Sequence, residues 1–393
     1  MEKLKKFIPV SSIFIILLIS LLYFQNCAAQ FYEDHIILNP YQTQYPAIGR
    51  TMGGATVALP DSAANITDNP AGIAQIRKIK LLFSAYSTKG SIDFESSPTM
   101  ALEDQQWTDA LTLGTFSAAI PLRLVNQPLT VAASYNANIP YEFKIKKDFF
   151  ETITEYNGHL KTVDLGIGWR LSSRFSMGLG WIYWFGKRAV NAFYYWDEDR
   201  LTKRTLQYSG VSLNVGFQTN ISKRMSAGAT IYFPSQLEIN HSEILPGGRE
   251  NSYKMQEKFQ GGFRLGLAEK ITSSLTLGLE YAYQPKFSKQ FFTGGESDYS
   301  SSRFIAVGLE QNIRIKSIFL PLYIMYRNFR LPVLTNEIFL EIVNNELKTQ
   351  PYKNAISHLI EIGGNIKWRN FTTFFSARWQ QSGKYYRTAP PIT

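Results

Sequence analysis

The sequence predicts an all-β protein: a transmembrane antiparallel up-and-down β-barrel, preceded by a segment without strand alternation. Three observations predict this. Apolar residues alternate at period 2 over stretches of ten or more residues. Short polar turns alternate with long connections. The composition is 14% aromatic and only 18% charged, against a usual charged fraction of ~25%. So aromatic a chain buries too much apolar surface to be disordered, and the single Cys27 rules out a disulfide scaffold and a Cys-based zinc site. With a mean hydropathy of −0.15, and an apolar run near the ~18 residues of a spanning helix only at the N-terminus, helical membrane proteins are excluded as well.

The first element is an address. Lys3, Lys5 and Lys6 precede the apolar run Ile13–Phe24, and Cys27-Ala28-Ala29 puts small residues before a cut at Gln30. Residues 1–29 therefore read as a secretory signal peptide, removed near Ala29. A shorter alternative, lipid attachment at Cys27, is disfavoured by Phe24 and Asn26. The formal charge of +10 is spread singly along the chain with no basic run, so nucleic acid is not an expected partner.

Residues 30–77 lack alternation; residues 78–393 form the expected barrel. In 162–171 the odd positions Val163, Leu165, Ile167, Trp169 and Leu171 are apolar, while Thr162, Asp164, Gly166, Gly168 and Arg170 alternate with them. The same pattern returns at 175–185, 211–217, 263–267, 275–281 and 360–368. Short turns fall near residues 125, 172, 221, 271, 316 and 370. The long connections are 97–108, 144–158, 191–204, 240–256, 291–301 and 332–354. A soluble sandwich would turn every 8–12 residues and use strands of ~5–6. Trp169, Tyr183, Phe185, Tyr281, Tyr283, Trp368 and Trp379 lie at the ends of apolar faces, as interfacial girdles do. The apolar rows are therefore expected to face lipid, with the Gly, Ser and charged rows facing the lumen. Pro140, Pro234, Pro285 and Pro332 fall where strands enter long connections, and Pro321 is the exception, near a strand start or at a bulge. Thirteen strands are clear; either a fourteenth lies in Lys384–Thr388 or within 332–354, or the barrel closes differently.

The segment ahead of the barrel carries Met52-Gly53-Gly54-Ala55 and then Asn69-Pro70-Ala71-Gly72, followed directly by the first strand at Lys80–Ser87. In that order these motifs resemble the N-terminal signature of the FadL/OmpP1/TodX family of outer-membrane transporters for hydrophobic compounds. One departure is Thr67-Asp68 before Asn69, where the family commonly has an apolar or aromatic residue. The resemblance implies a Gram-negative outer-membrane location, a barrel of about 14 strands and, over residues 30–77, a hatch or plug at its periplasmic end. It also implies a hydrophobic small molecule or lipid as partner and Gly53, Gly54, Asn69, Pro70, Ala71 and Gly72 as hatch or ligand-binding residues.

Chemistry is not expected. His35, His159, His241 and His358 are the sole histidines, and no G-x-S-x-G or H-E-x-x-H motif occurs. No catalytic residue, metal ligand or cofactor is assigned. Lumen positions carry both signs, at Asp164, Arg170, Arg264, Glu280, Glu361, Lys367 and Arg378; buried charges are costly unless paired, so a mutually neutralising network is expected. Phe193, Tyr194, Tyr195 and Trp196 form an aromatic run in an expected extracellular loop, suited to capturing a hydrophobic ligand or a partner protein. Two functions are consistent with these features. One is passive uptake of hydrophobic small molecules of the long-chain fatty acid or hydrocarbon type. The other is a structural or shuttle role in a protein-secretion machine of the type IX kind.

Overall fold

A computed structural model describes residues 57–58, 66–86, 89–92, 105–108, 112–124, 127–140, 143–147, 152–194, 197–245, 248–259, 261–285, 287–290, 296–299, 301–315, 318–330, 338–343, 346–351, 356–368 and 371–382. The expected signal peptide, Gly53 and Gly54 lie outside the described residues.

The alternating segments form one antiparallel ladder. Its strands are β1 (Lys80–Tyr86), β2 (Thr112–Leu124), β3 (Gln127–Pro140), β4 (Thr152–Arg170), β5 (Phe175–Tyr194), β6 (Asp197–Asn220) and β7 (Met225–Tyr232). Then come β8 (Gly262–Lys270), β9 (Leu275–Gln284), β10 (Ser302–Ile315), β11 (Ile318–Arg330), β12 (Ile356–Trp368) and β13 (Phe371–Ser382). Each pairs antiparallel with the next. With thirteen strands β1 and β13 run the same way, so antiparallel closure calls for one more descending strand, giving the even count typical of bacterial barrels. Of the two candidate regions, 332–354 instead folds Ile338–Val343 and Glu346–Pro351 into a hairpin outside the barrel sheet. Lys384–Thr388 lies outside the described residues. Pro321 lies near the start of β11 and causes no bulge: it pairs with Asn312 of β10, and although Leu320 and Pro321 have no paired residue on β12, the register is the same on either side, Phe319↔Lys367 and Leu322↔Gly364.

Three of the short turns share one device. Ser172 Oγ accepts from the N–H groups of Arg174 (3.2 Å) and Phe175 (3.0 Å). Ser222 does the same for Arg224 and Met225, and Thr272 for Ser274 and Leu275. A hydroxyl at the first turn position thus satisfies two N–H groups that the ladder leaves over.

The long connections differ from expectation. They are largely hairpins that carry the sheet onward: Lys89–Ile92 pairs with Gln105–Thr108, Phe143–Lys147 with Thr152–Tyr156, and Phe287–Gln290 with Glu296–Tyr299. Ser235–Ile244 pairs with Glu250–Phe259 and leans on β6 from Val211 to Lys203. The described residues of segment 191–204 are all strand, because β5 and β6 run 20 and 24 residues, about twice the ~9–11 that cross a bilayer. Beyond the membrane both faces meet water, so apolar alternation fades while backbone pairing continues. A reading by hydropathy alone therefore ends these strands too early.

The inverted faces are plain. Leu165, Ile167, Trp169, Leu179, Tyr183, Leu213, Leu265, Leu279 and Ile305 are exposed, while their neighbours Asp164, Ser176, Ser212, Asn214, Arg264 and Glu280 are buried. Outward rings form ladders: Trp181, Tyr183 and Phe185 stack at 6.1 and 5.7 Å, and Phe263 meets Tyr281 and Tyr283 at 6.0 and 5.7 Å. A charge on such a row must meet acyl chains. Leu213→Arg is therefore expected to cost about 2–4 kcal/mol of folding stability in bilayers, read by denaturant titration in liposomes, whereas Ser212→Ala on the opposite face is expected to cost much less.

Candidate functional site

The lumen at the short-turn end is occupied by the segment ahead of β1. Asn69 caps a short 3-10 helix, Pro70–Gln75, in the manner its sequence prescribes: its Oδ1 accepts from Ala71 N–H at 3.0 Å, and Pro70 supplies a first residue that needs no hydrogen bond. The same side chain donates from Nδ2 to the carbonyls of Val57 (2.6 Å) and Phe217 (3.0 Å). Asn69 thereby ties the helix, an earlier part of the segment and β6 together. Pro70, Ala71 and Gly72 are all buried around it.

The glycines of the lumen face explain how closely this segment approaches. A Cβ at Gly178 would lie 2.6 Å from Ala71 N, one at Gly168 2.6 Å from Ala74 N, and one at Gly216 2.9 Å from Ala71 N. A Cβ at Gly228 would run into the Val57 carbonyl. Strands β4 to β7 therefore present a side-chain-free floor on which the backbone of the hatch rests. Beside it Ile66, Ile73 and Ile76 pack on Ala119 of β2 and Ala132 of β3.

Wall side chains then satisfy the hatch carbonyls one by one. Asn214 donates to Ile66 O and Thr67 O at 3.0 and 2.9 Å, and Gln218 to Ala58 O at 2.9 Å. Thr230 donates to Asp68 O at 2.6 Å and Tyr232 to Thr67 O at 2.9 Å. Arg170 reaches Ala74 O at 3.1 Å and Gln75 Oε1 at 3.0 Å. Buried carbonyls need such donors because no water reaches them.

Charges complete the attachment. Arg264 of β8 bridges Glu280 of β9, with an Nε–Oε1 distance of 2.7 Å, and Asp68 of the hatch. Arg264 and Arg327 both lie over the Phe304 ring, at 5.5 and 4.5 Å. Asp164 carries no ion pair in this arrangement; its Oδ2 accepts from Asn136 Nδ2 at 2.7 Å and Thr67 Oγ1 at 3.2 Å. The expected network of mutually neutralising wall charges is thus corrected in part. Arg264 and Glu280 do pair, but Asp68 joins them from the hatch, while Arg170 and Asp164 bond neutral hatch groups. Thr67 and Asp68, the departure from the family motif, are the residues that reach Asp164 and Arg264. Glu361 and Arg378 are directly opposed in register on β12 and β13.

Asn69, Pro70, Ala71 and Gly72 lie buried against the wall, but the sequence did not single out Asn214, Gln218, Thr230 and Tyr232, which bond the carbonyls of Ala58, Ile66, Thr67 and Asp68, or the pairing of Asp68 with Arg264. Polar residues at lumen parity were the available signal; which of them meet the hatch depends on strand stagger. Phe193 and Tyr194 end β5, and Tyr194 pairs with Asp197 of β6, so these two lie in paired strand and not in a loop 191–204; Tyr195 and Trp196 lie outside the described residues. Among the described residues, no group of three or more His, Cys, Asp or Glu is placed to hold a metal.

Residues 36–317 match the family described as outer membrane protein transport protein (OMPP1/FadL/TodX). The chain belongs to this family. It is therefore an outer-membrane protein of the hydrophobic-compound transport class and not an enzyme. No curated protein matches by sequence. A Pseudomonas aeruginosa FadL homologue shares the fold at a TM-score of 0.53 and 10% identity, over 86% of this chain and 97% of that one. The deltaS2S3 mutant of the monoaromatic hydrocarbon channel TodX matches at 0.50 and 12% identity, over 87% and 99%.

Two outcomes follow from this geometry. Asp68→Ala leaves Arg264 paired with Glu280 and removes one charge-assisted hydrogen bond, at a cost of about 1.5–3 kcal/mol. It should loosen the hatch, read as faster proteolysis of residues 57–76 and higher single-channel conductance, while the barrel still resists heat in detergent. On the extracellular hairpin, burial lowers the pKa of His241, which stacks on Tyr253 at 4.2 Å. The unfolded hairpin takes up its proton first as pH falls below the ordinary histidine value, so stability is lost with acidification. Hydrogen exchange in 235–259 should speed up from pH 7.5 to 5.5 in the wild type and much less in His241→Phe.

Proposed function

We propose that this protein carries out passive uptake of a hydrophobic small molecule across the outer membrane, with residues 30–77 as a hatch that the ligand passes. The carrying observation is the hatch itself, a short segment laid on a glycine floor and held by side-chain bonds that can be exchanged one at a time. A plug fused to the wall by an extensive apolar core would not open at so local a cost. Further up the wall Leu160, Ile182 and Trp184 are apolar, buried and at lumen parity, which supports a path for compounds of low polarity. A protein of similar fold, the monoaromatic hydrocarbon channel TodX, handles compounds of this class. The aromatic run at Phe193, Tyr194, Tyr195 and Trp196 is the proposed point of first capture, and the Asn69–Gly72 turn the point of release. Exposed outward rows contact outer-membrane lipids. A scaffold role in secretion receives less support, because the paired charges of the lumen tie the hatch to the wall instead of filling the barrel solidly.

Uptake of a radiolabelled aromatic hydrocarbon and of a long-chain fatty acid by cells with and without the protein tests this reading. Uptake of at least one should fall severalfold on deletion and be restored by the wild type, and Trp196→Ala should slow it without altering barrel stability. Equal uptake of both compounds with and without the protein would contradict transport.

A further inference from the structure

On the extracellular side of the hatch the lumen wall is divided into two chemistries. Across β2, β3 and β4 the directly opposed row Ser117–Ser134–Asp164 and the next row Thr115–Asn136–Thr162 are polar throughout. All six residues are at most 3% exposed. The same rows continue onto β5 as Ile182, opposite Asp164, and Trp184, opposite Thr162, with Leu160 one lumen position above. Here the wall turns apolar and aromatic, and it too is buried.

The polar half is not saturated. Thr115 Oγ1, Ser117 Oγ, Ser134 Oγ, Asn136 Oδ1 and Asp164 Oδ1 have no hydrogen-bond partner, although each is inaccessible to solvent. The hatch and Asn136 use one oxygen of Asp164, Oδ2, and leave the other. A buried polar group without a partner costs about 1–3 kcal/mol, and five such oxygens on one patch constitute a demand for hydrogen-bond donors. All five are oxygens, two of them acceptors only, and the patch holds a carboxyl group. It is complementary to a donor and hostile to another carboxylate.

We propose that this part of the lumen selects compounds with an apolar body and a hydrogen-bond-donating end, a hydroxyl or an amine, over plain hydrocarbons and carboxylates. The apolar body lies on Ile182, Trp184 and Leu160 while the donor reaches Ser134, Asn136 and Asp164 Oδ1. This deepens the transport reading and rests on it. It also explains why the two halves adjoin: a site that hydrogen-bonds a donor discriminates strongly against analogues that lack one, because its own groups are then left unpaired.

The test uses the full mature protein in lipid nanodiscs and three probes sharing one apolar body: para-butylphenol, butylbenzene and para-butylbenzoate, titrated calorimetrically against empty nanodiscs. The phenol should bind about tenfold more tightly than butylbenzene, and the benzoate most weakly. Ser134→Ala and, independently, Asp164→Asn should shrink the phenol-to-butylbenzene ratio to about threefold or less. Equal binding of phenol and butylbenzene, tightest binding of the benzoate, or an unchanged ratio in both variants would overturn the donor preference while leaving transport standing. Failure of all three probes to bind would remove both readings together.

Discussion

Hydrocarbon offers no hydrogen bonds, so each backbone N–H and C=O within the bilayer must be paired by another strand. Every later feature of this protein depends on that constraint. It demands a sheet that returns on itself, and the return fixes which side chains meet lipid. Because strand side chains alternate strictly, a lipid-facing row of Leu, Ile and Trp commits the intervening row to the lumen. What that second row contains was then free to be shaped by the hatch.

The lumen face is consequently the informative one. Near the short turns it is reduced to glycine on β4 to β7, where backbone meets backbone. Interleaved with these glycines, it supplies amides, hydroxyls and Arg264 to the hatch carbonyls and to Asp68. Higher it is half oxygen-rich and half apolar. One surface thus both docks and latches the segment ahead of β1, with no change of secondary structure. The hatch is held by specific bonds and close fit more than by a large apolar core, a form of attachment that can be undone locally.

Much of this was legible beforehand. Period-2 alternation located the membrane strands, because lipid rewards only one face, and the short turns fell where polar residues break the pattern. Asn69-Pro70 caps its 3-10 helix through side-chain chemistry that acts within a few residues. Reading failed where information is not local. Above the membrane, water on both faces erased the alternation, so the continuation of β5 and β6 through 191–204 went unseen. The glycines were visible as small lumen residues, but their purpose lies in contacts about a hundred or more positions away in sequence, as between Gly178 and Pro70. The pairing of Asp68 with Arg264 was hidden for the same reason, although Thr67-Asp68 stood out as a departure from the family motif.

The outward direction of the oily rows is most directly tested by fluorescence quenching with lipids brominated in their acyl chains, using variants that keep a single tryptophan. Trp169 and Trp184 are suitable reporters, the first exposed on β4 and the second buried on β5 with its Nε1 donating to Ser212 Oγ at 2.6 Å. Strong quenching of Trp169 together with near-complete protection of Trp184 is the predicted result. Quenching of Trp184 with Trp169 shielded would mean that the faces are the other way round, and the barrel, the hatch and the transport path would fall with them.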